Sequence, residues 1–222
     1  MRKIDCLIFD MDGTIVDTRL LTTKCVNYAL TQIGESPVDG QTVTEAIGSS
    51  LVDTFRAILP TSKWSYIDQC VRQYVIYQRT HHVESLRNVN LYPTVRETLD
   101  QISSCNLALA TNKPAWLANK ILTLVGIKQY FFTIVGAEDV PKSKPSPDMI
   151  HLVISRINSF GGAMIVGDSV EDIQAGHSAH ILTCAVEYGY TPKEKLMEAK
   201  PTFSIYRFCD LLTILEHLSQ PT

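Results

Sequence analysis

The amino-acid sequence predicts an α/β protein in which a helical segment interrupts the sheet-forming part of the chain. Short, continuously apolar runs alternate with helical patterns beyond residue 93, as expected for parallel strands covered by helices on both faces. Residues 17–85 instead follow helical spacing throughout. We therefore predict a Rossmann-like, doubly wound parallel sheet core over residues 1–16 and 90–222, with an all-helical cap inserted over residues 17–89.

The individual elements follow in chain order from apolar periodicity and from breaker residues. The first strand covers about residues 4–10, and the insertion contains helices at 20–33, 42–47, 51–59 and 64–82. Later strands are predicted at 107–110, 132–135, 163–166 and 181–186. The accompanying helices are predicted at 94–103, 114–125, 147–158, 170–178 and 207–218. Hinges near 17–20 and 87–91 would make the insertion a mobile cap, and a rigid structural insert is the alternative.

The composition excludes several classes of protein. The chain has 222 residues, is 45% hydrophobic and 19% charged, and carries a formal net charge of −3, so we expect a globular protein that binds no nucleic acid. We expect no membrane span, because no apolar run is long enough, and no signal peptide. Six scattered cysteines without a C-x-x-C pair fit thiols in a reducing, cytoplasmic location.

Two carboxylates stand at the end of the first strand. Asp10 and Asp12 are two residues apart, and residues i and i+2 of an extended chain point to the same side. One carboxylate can attack as a nucleophile while the other moves a proton. Gly13 permits the turn that follows, and Thr14 adds a hydroxyl group. The alternative is an ordinary turn rich in Asp and Gly.

Three later strand ends also carry polar residues, and ligands of open α/β sheets bind at the carboxyl ends of the strands. Thr111-Asn112-Lys113 suits a phosphate oxygen, although ordinary helix N-terminal loops have this composition too. Lys142 or Lys144 could neutralise a phosphate and a carboxylate, and a solvated basic loop is the alternative. Asp168 and Asp172 can converge on a cation, and helix capping by acidic residues is the alternative.

These motifs resemble those of a known family. The segment FDMDGTIVDT at residues 9–18 resembles the signature of the haloacid dehalogenase superfamily, most of whose members are phosphohydrolases. The other three strand ends follow in the family's order, and a cap after the first motif resembles its phosphoglycolate phosphatase-like branch. Segments 110–114, 166–169 and 188–190 look like that branch as well.

The chain departs from the family's pattern in three places. The usual Pro-Gly after the cap is Pro93-Thr94 here, and the Ala-Gly pair that closes the helix of the fourth motif is Ala179-His180. The cap residues match only weakly, so the resemblance leaves the substrate open.

The resemblance implies hydrolysis of a phosphomonoester through a phosphoaspartate. Asp10 would be the nucleophile, and Asp12 would protonate the leaving alcohol and then deprotonate the attacking water. Thr111, Asn112 and Lys144 would bind the phosphate, with Lys144 also counted among the catalytic residues.

The resemblance also implies Mg²⁺ as the cofactor. Asp10, the backbone carbonyl of Asp12 and Asp168 would bind the ion, and Asp172 would support the metal site. A haloacid dehalogenase is disfavoured because it needs no metal and its relatives lack the second Asp. A phosphonatase is disfavoured on the same ground.

The expected substrate is a small phosphorylated metabolite, with 2-phosphoglycolate as the first candidate. The loop Gly48-Ser49-Ser50 offers N–H and hydroxyl donors for a carboxylate or hydroxyl group, to which Arg56 or Lys24 could add charge; a plain helix break is the alternative. A phosphosugar mutase, a pyrophosphatase and a non-catalytic binding protein are the other hypotheses. Mutases resemble E-D-S where this chain has Gly167-Asp168-Ser169. We expect a monomer or a homodimer.

Overall fold

The protein forms two compact units. Unit 1 consists of Met1–Val16 and Leu91–Thr222, and unit 2 consists of Asp17–Asn90. The structure, a computed structural model, describes residues 4–47, 50–80, 89–157 and 161–219. Within these ranges, no helix has both the length and the apolar character that a membrane crossing requires.

A six-stranded parallel sheet forms the centre of unit 1. The described strands are β1 (Cys6–Phe9), β2 (Val16–Asp17), β3 (Asn90–Leu91), β4 (Asn106–Ala110), β5 (Thr133–Val135), β6 (Ala163–Gly167), β7 (Leu182–Val186) and β8 (Phe203–Ile205). The order in the large sheet is β5-β4-β1-β6-β7-β8, and each neighbouring pair is parallel. The short strands β2 and β3 pair with each other where the chain passes between the units. The predicted doubly wound parallel sheet is confirmed.

Both faces of the central strand β1 are covered. Ile8 belongs to a buried cluster with Met149 and Ile150, whereas the next residue, Phe9, contacts the rings of Phe131 and Phe208. Successive side chains of a strand point to opposite faces, so these contacts lie on opposite sides of the sheet. This explains why the strands are continuously apolar.

Helices follow most strands of unit 1 and frame their carboxyl ends. Helices are numbered along the whole chain, and α1 to α4 belong to unit 2. The described residues of unit 1 contain α5 (Val95–Gln101), α6 (Ala115–Leu124), α7 (Asp148–Ser155), α8 (Val170–Ser178), α9 (Lys193–Glu198) and α10 (Asp210–Ser219). Short 3₁₀ segments occur at Lys128–Tyr130 and Ala137–Asp139.

Unit 2 is helical in its described residues. It contains α1 (Arg19–Thr31), α2 (Gly40–Ala46), α3 (Leu51–Ile58), a 3₁₀ segment (Thr61–Tyr66) and α4 (Ile67–Thr80). The side chains of Asp39 and Ser50 accept hydrogen bonds from backbone N–H groups in the first turns of α2 and α3, as N-cap residues do. Phe55 and Tyr74 pack edge to face in its core, with ring centroids 6.5 Å apart. Whether this unit caps the site stays a prediction.

Some small elements are not predicted by the sequence pattern. Helix α9 and strand β8 are missed, and so are the two-residue strands β2 and β3. Residues 64–66, which we expect from the sequence at the start of a helix, belong to the 3₁₀ segment before α4.

Two departures from the family pattern coincide with unusual backbone. Thr94 has φ of 67° and His180 has φ of 54°, and each stands where the resembling pattern has glycine. Left-handed backbone is costly for residues with a Cβ atom. The chain therefore keeps the turns without the residue that suits them best.

Candidate active site

The carboxyl ends of three adjacent strands position the first site residues. Phe9 of β1 pairs with Leu109 of β4 and with Val166 of β6. Asp10 continues the pairing, because its N–H donates to the carbonyl of Val166 at 2.9 Å. Asp10 therefore lies between the residues that follow β4 and those that follow β6, which include Thr111 and Asp168.

Three carboxylates meet at this edge of the sheet. One oxygen atom from each of Asp10, Asp168 and Asp172, here called the acidic cluster, lies within 4.8 Å of those of the other two, and all three residues are buried. The Nζ of Lys144 donates to Oδ1 of Asp10 and to Oδ1 of Asp172, both at 2.6 Å, and to the carbonyl of Ala110 at 2.8 Å. One buried ammonium thus pairs with two of the three carboxylates.

The charges in the acidic cluster shift one another's pKa values. Burial raises the pKa of Asp10 to about 7, although the nearby ammonium of Lys144 lowers it. Burial and then the charges of Asp10 and Asp172 raise the pKa of Asp168 well above its ordinary range. Burial alone would lower the pKa of Lys144, but the carboxylates of Asp10 and Asp172 raise it above its usual value.

The acidic cluster fits a hard divalent cation. Carboxylate oxygens are the ligands that Mg²⁺ prefers in proteins. Burial, together with the crowding of like charges, raises the pKa of Asp10 and Asp168, and a bound cation would relieve that crowding. These residues could therefore hold a metal ion, and the prediction of Mg²⁺ keeps its chemical basis.

Backbone close to Asp168 fixes that carboxylate. The N–H of Tyr190 donates to its Oδ2 at 2.8 Å, and the hydroxyl of Thr14 lies 3.4 Å from its Oδ1. A Cβ atom on Gly189 would lie 2.2 Å from the Cβ of Asp168, and one on Gly13 would lie 2.0 Å from its Oδ2. Gly13 also has φ of 76°. Both glycines are needed because no side chain fits beside Asp168.

Asp172 has two structural partners besides its place in the acidic cluster. Its Oδ2 accepts from the backbone N–H and the hydroxyl of Ser169 at 3.0 and 2.6 Å, which forms a capping box at the start of α8. Its Oδ1 accepts from Lys144. The helix-capping alternative is thus observed together with the ion pair.

Asp12 lies outside the acidic cluster and pairs with a different lysine. The Nζ of Lys113 is 3.4 Å from Oδ2 of Asp12, and the two side chains are 10% and 22% exposed respectively. The sequence indicates Lys113 only as part of a motif and does not predict it as a site residue. Its position two residues after Thr111 is the available signal.

Thr111 and Asn112 have different surroundings. Thr111 is buried, and its Oγ1 accepts from the N–H of Lys113 at 3.2 Å, which leaves its hydroxyl hydrogen to donate. The amide of Asn112 donates to the carbonyl of Lys144 at 3.1 Å and accepts from the N–H of Lys144 at 3.0 Å. The side chain of Asn112 therefore positions the Lys144 loop, and substrate binding by Asn112 stays a prediction.

The predicted substrate residues of unit 2 are only partly described. Gly48 and Ser49 lie outside the described residues. Arg56 donates to Oδ1 of Asp53 at 3.4 Å and stands over the ring of Trp64, with the guanidinium carbon 5.9 Å from the ring centroid.

Residues that the sequence does not single out act through backbone groups. Tyr188-Gly189-Tyr190 is notable in the sequence only for its resemblance to the phosphatase branch, yet the N–H of Tyr190 and the missing side chain of Gly189 secure Asp168. The hydroxyl of Tyr188 also donates to the carbonyl of Thr14 at 2.8 Å. Apart from that resemblance, the sequence offers only a glycine between two tyrosines after a buried strand.

Comparison with known proteins identifies one family and similar pyrophosphatases. The model of the family described as haloacid dehalogenase-like hydrolase matches residues 7–186. Pyrophosphatase PpaX from Listeria monocytogenes is 28% identical over 216 residues, which are 96% of this chain and 97% of the relative. Pyrophosphatase PpaX from Bacillus pumilus is 30% identical over 215 residues, covering 96% of each chain.

A solved structure agrees with these relatives. The crystal structure of a predicted phosphoglycolate phosphatase from Haemophilus somnus is similar with a TM-score of 0.82 and 29% identity, covering 96% of this chain and 99% of the other. The similarity therefore includes both the sheet-forming and the helical parts of the sequence.

Proposed function

Because the chain belongs to the haloacid dehalogenase-like hydrolase family and is an enzyme of the phosphatase type, we propose that it hydrolyses a small phosphomonoester in a Mg²⁺-dependent reaction. The observation that carries this proposal is the acidic cluster around the Nζ of Lys144. Buried charges stabilise a fold less well than apolar side chains of similar size, and carboxyl groups with perturbed pKa values are typical of reactive sites.

In the proposed reaction, Asp10 forms a phosphoaspartate. A carboxylate oxygen of Asp10 attacks phosphorus, and the bond from phosphorus to the leaving oxygen breaks. Asp12 gives its proton to that oxygen and then takes a proton from water. The water oxygen attacks the phosphorus of the phosphoaspartate, which releases phosphate and restores the carboxylate. Lys144 holds Oδ1 of Asp10 and so orients the nucleophile.

Binding of the phosphate group falls to residues beside the nucleophile. The hydroxyl of Thr111 and the ammonium of Lys144 would donate to phosphate oxygens. Asp10, the backbone carbonyl of Asp12 and Asp168 would hold Mg²⁺, with Asp172 in support. A bound Mg²⁺ would supply positive charge that offsets repulsion between the phosphate and the nucleophile.

We propose 2-phosphoglycolate as the first substrate and pyrophosphate as its main competitor. One similar structure is described as a predicted phosphoglycolate phosphatase, and two relatives are named pyrophosphatases. Unit 2 would act as a cap that selects the leaving group, since the groups around Asp10 handle only phosphate. We also propose a cytoplasmic monomer or homodimer that binds neither nucleic acid nor a membrane.

The test is phosphate release from a panel of substrates with Mg²⁺ present. Values of kcat/KM for 2-phosphoglycolate, pyrophosphate, sugar phosphates and nucleotides should be highest for 2-phosphoglycolate. An advantage of about a hundredfold for pyrophosphate or a hexose phosphate would overturn the phosphoglycolate assignment, since that ratio exceeds what one small contact provides. Isomerisation of a sugar phosphate without phosphate release would instead indicate a mutase.

A further inference from the structure

Two lysines pair with different carboxylates of the site. Lys144 contacts the nucleophile Asp10 and Asp172 in the acidic cluster, whereas Lys113 pairs with Asp12. We propose that Lys113 is a specificity-determining residue that binds the negative charge of an anionic leaving group, such as a carboxylate or a second phosphoryl group. The inference rests on the proposed function, because that function places Asp12 at the leaving oxygen.

The backbone of Lys113 is fixed at both of its polar groups. Its N–H donates to Oγ1 of Thr111 at 3.2 Å, and its carbonyl accepts from the N–H of Ala137 at 3.2 Å. Pro114 follows directly and precedes helix α6. The ammonium is therefore presented from a loop whose backbone is fixed. Lys113 stands in that loop two residues after Thr111, which would bind the phosphate.

The ammonium of Lys113 can serve Asp12 and a substrate anion together. It has three N–H donors and no acceptor, and its Nζ lies 3.4 Å from Oδ2 of Asp12, the residue that the proposed function places at the leaving oxygen. Its side chain is 10% exposed, against 3% for Lys144, so Lys113 is the more accessible of the two to a ligand.

The chemistry of the two candidate substrates agrees with this position. In 2-phosphoglycolate a carboxylate lies one carbon from the leaving oxygen, and in pyrophosphate the leaving group is itself a phosphate. A neutral alcohol offers no such charge. Because a hydrogen bond to a charged group is stronger than a neutral one, Lys113 would favour anionic leaving groups by about ten- to a hundredfold.

The experiment compares matched substrates on matched variants. Lys113→Met, Lys113→Gln and Lys113→Arg are assayed with Mg²⁺ on 2-phosphoglycolate, pyrophosphate and 2-hydroxyethyl phosphate, a neutral analogue of nearly the same length. Lys120→Met is the control, since Lys120 is exposed on α6, the helix that follows Lys113, with its Nζ over the ring of Trp116. Thermal unfolding of each variant checks that it is folded.

The expected result is a change in selectivity. Lys113→Met and Lys113→Gln should lower kcat/KM for the two anionic substrates about ten- to a hundredfold more than for the neutral ester. Lys113→Arg should restore part of the ratio, and Lys120→Met should leave the ratio within about twofold of wild type.

Other outcomes separate this inference from the proposed function. Equal losses on all three substrates would mean that Lys113 serves only Asp12, and the inference would be wrong while the phosphatase function stands. An unchanged ratio in a folded variant would overturn it equally. Absence of hydrolysis by the wild-type enzyme on every ester would overturn the proposed function itself.

Discussion

The two units bury different kinds of polar side chain. Among the described residues, unit 1 buries four charged side chains, those of Asp10, Lys144, Asp168 and Asp172. The polar side chains buried in the described part of unit 2 are uncharged: Thr18, Thr22, Thr54 and Gln78. The ion pairs Arg19–Asp17, Arg56–Asp53 and Lys63–Glu35 on its surface have side chains that are all at least 30% exposed.

The two units therefore differ in the energetic cost of their charged groups. Buried charges are costly unless they are paired, whereas exposed ion pairs contribute little to stability in either direction. Unit 1 therefore holds the groups suited to chemistry, and under the proposed function unit 2 would be free to vary with the leaving group. Substitutions in the two units should accordingly differ in what they change.

The largest effect is expected from Asp10, the proposed nucleophile. Asp10→Asn should reduce turnover by at least about 10⁴-fold while the protein stays folded, because the amide cannot form an acyl phosphate. Steady-state phosphate release and circular dichroism measure the two properties. Asp68→Asn, the same change at an exposed position of α4 in unit 2, should stay within about twofold of wild type. Retention of more than about 1% of the rate by Asp10→Asn would exclude the covalent scheme.

The next effect concerns the glycine that faces Asp168. Gly189→Ala should weaken Mg²⁺ binding about ten- to a hundredfold, because residues that orient a metal ligand matter about that much and the new Cβ would lie 2.2 Å from the Cβ of Asp168. Half-saturation by Mg²⁺ is measured both by activity and by the rise in Tm. Gly40→Ala in unit 2 is the control, because a Cβ atom at that position would make only an ordinary contact, 3.5 Å from Oγ1 of Thr23. It should change half-saturation by Mg²⁺ in neither measurement. An unchanged Mg²⁺ titration for Gly189→Ala would remove Asp168 from the metal site.

A third effect links metal binding to pH. Burial raises the pKa of Asp10 to about 7, so the contribution of this carboxyl group to stability is present below about pH 4 and is lost as the pH rises through about 7. Since Mg²⁺ binds the ionised carboxylates, it should raise Tm more at pH 8 than at pH 5.5. Saturation at a hundred times Kd should contribute about 2.7 kcal/mol. Sodium chloride at matched ionic strength is the control, and an equal rise in Tm at both pH values would contradict the prediction.

The smallest effect tests whether left-handed backbone at non-glycine residues destabilises unit 1. Among the described residues, the non-glycine positions with positive φ are Thr94, His180 and Lys200, all in unit 1. His180→Gly should raise the free energy of unfolding by about 1 kcal/mol, because glycine accepts φ of 54° without strain. His177→Gly, three residues earlier inside helix α8, should lower it by about the same amount. Chemical denaturation measures both, and a loss of stability in His180→Gly would show that its side chain contributes more than the strain costs.

The sequence is sufficient to predict the large elements of the fold and not the small ones. Strands β1, β4, β6 and β7 are predictable because each consists mainly of apolar residues that are buried on both faces of the sheet. Strand β8 has three residues, Phe203-Ser204-Ile205, at the edge of the sheet with Ser204 exposed, so it shows no such run. Strands β2 and β3 have two residues each, which is too short for any periodicity.

The same limit applies to the candidate site. The rule that ligands bind at the carboxyl ends of strands is enough to predict from the sequence that Asp10, Thr111 and Asp168 share one edge of the sheet. It cannot supply the N–H of Tyr190 on Asp168 or the two hydrogen bonds between Asn112 and the Lys144 backbone. Those contacts depend on loop conformation, which residue type alone does not determine. The catalytic roles themselves stay predictions.

The ion pairs of Lys144 join parts of the chain that are made at very different times. Asp10 lies 134 residues before Lys144, and Asp172 lies 28 residues after it. During synthesis, Asp10 leaves the ribosome before its lysine and the two other carboxylates, which follow at least 134 residues later. A nascent chain thus contains its proposed nucleophile long before the groups around it are made, and premature termination before Asp168 should yield an inert fragment rather than a weak enzyme.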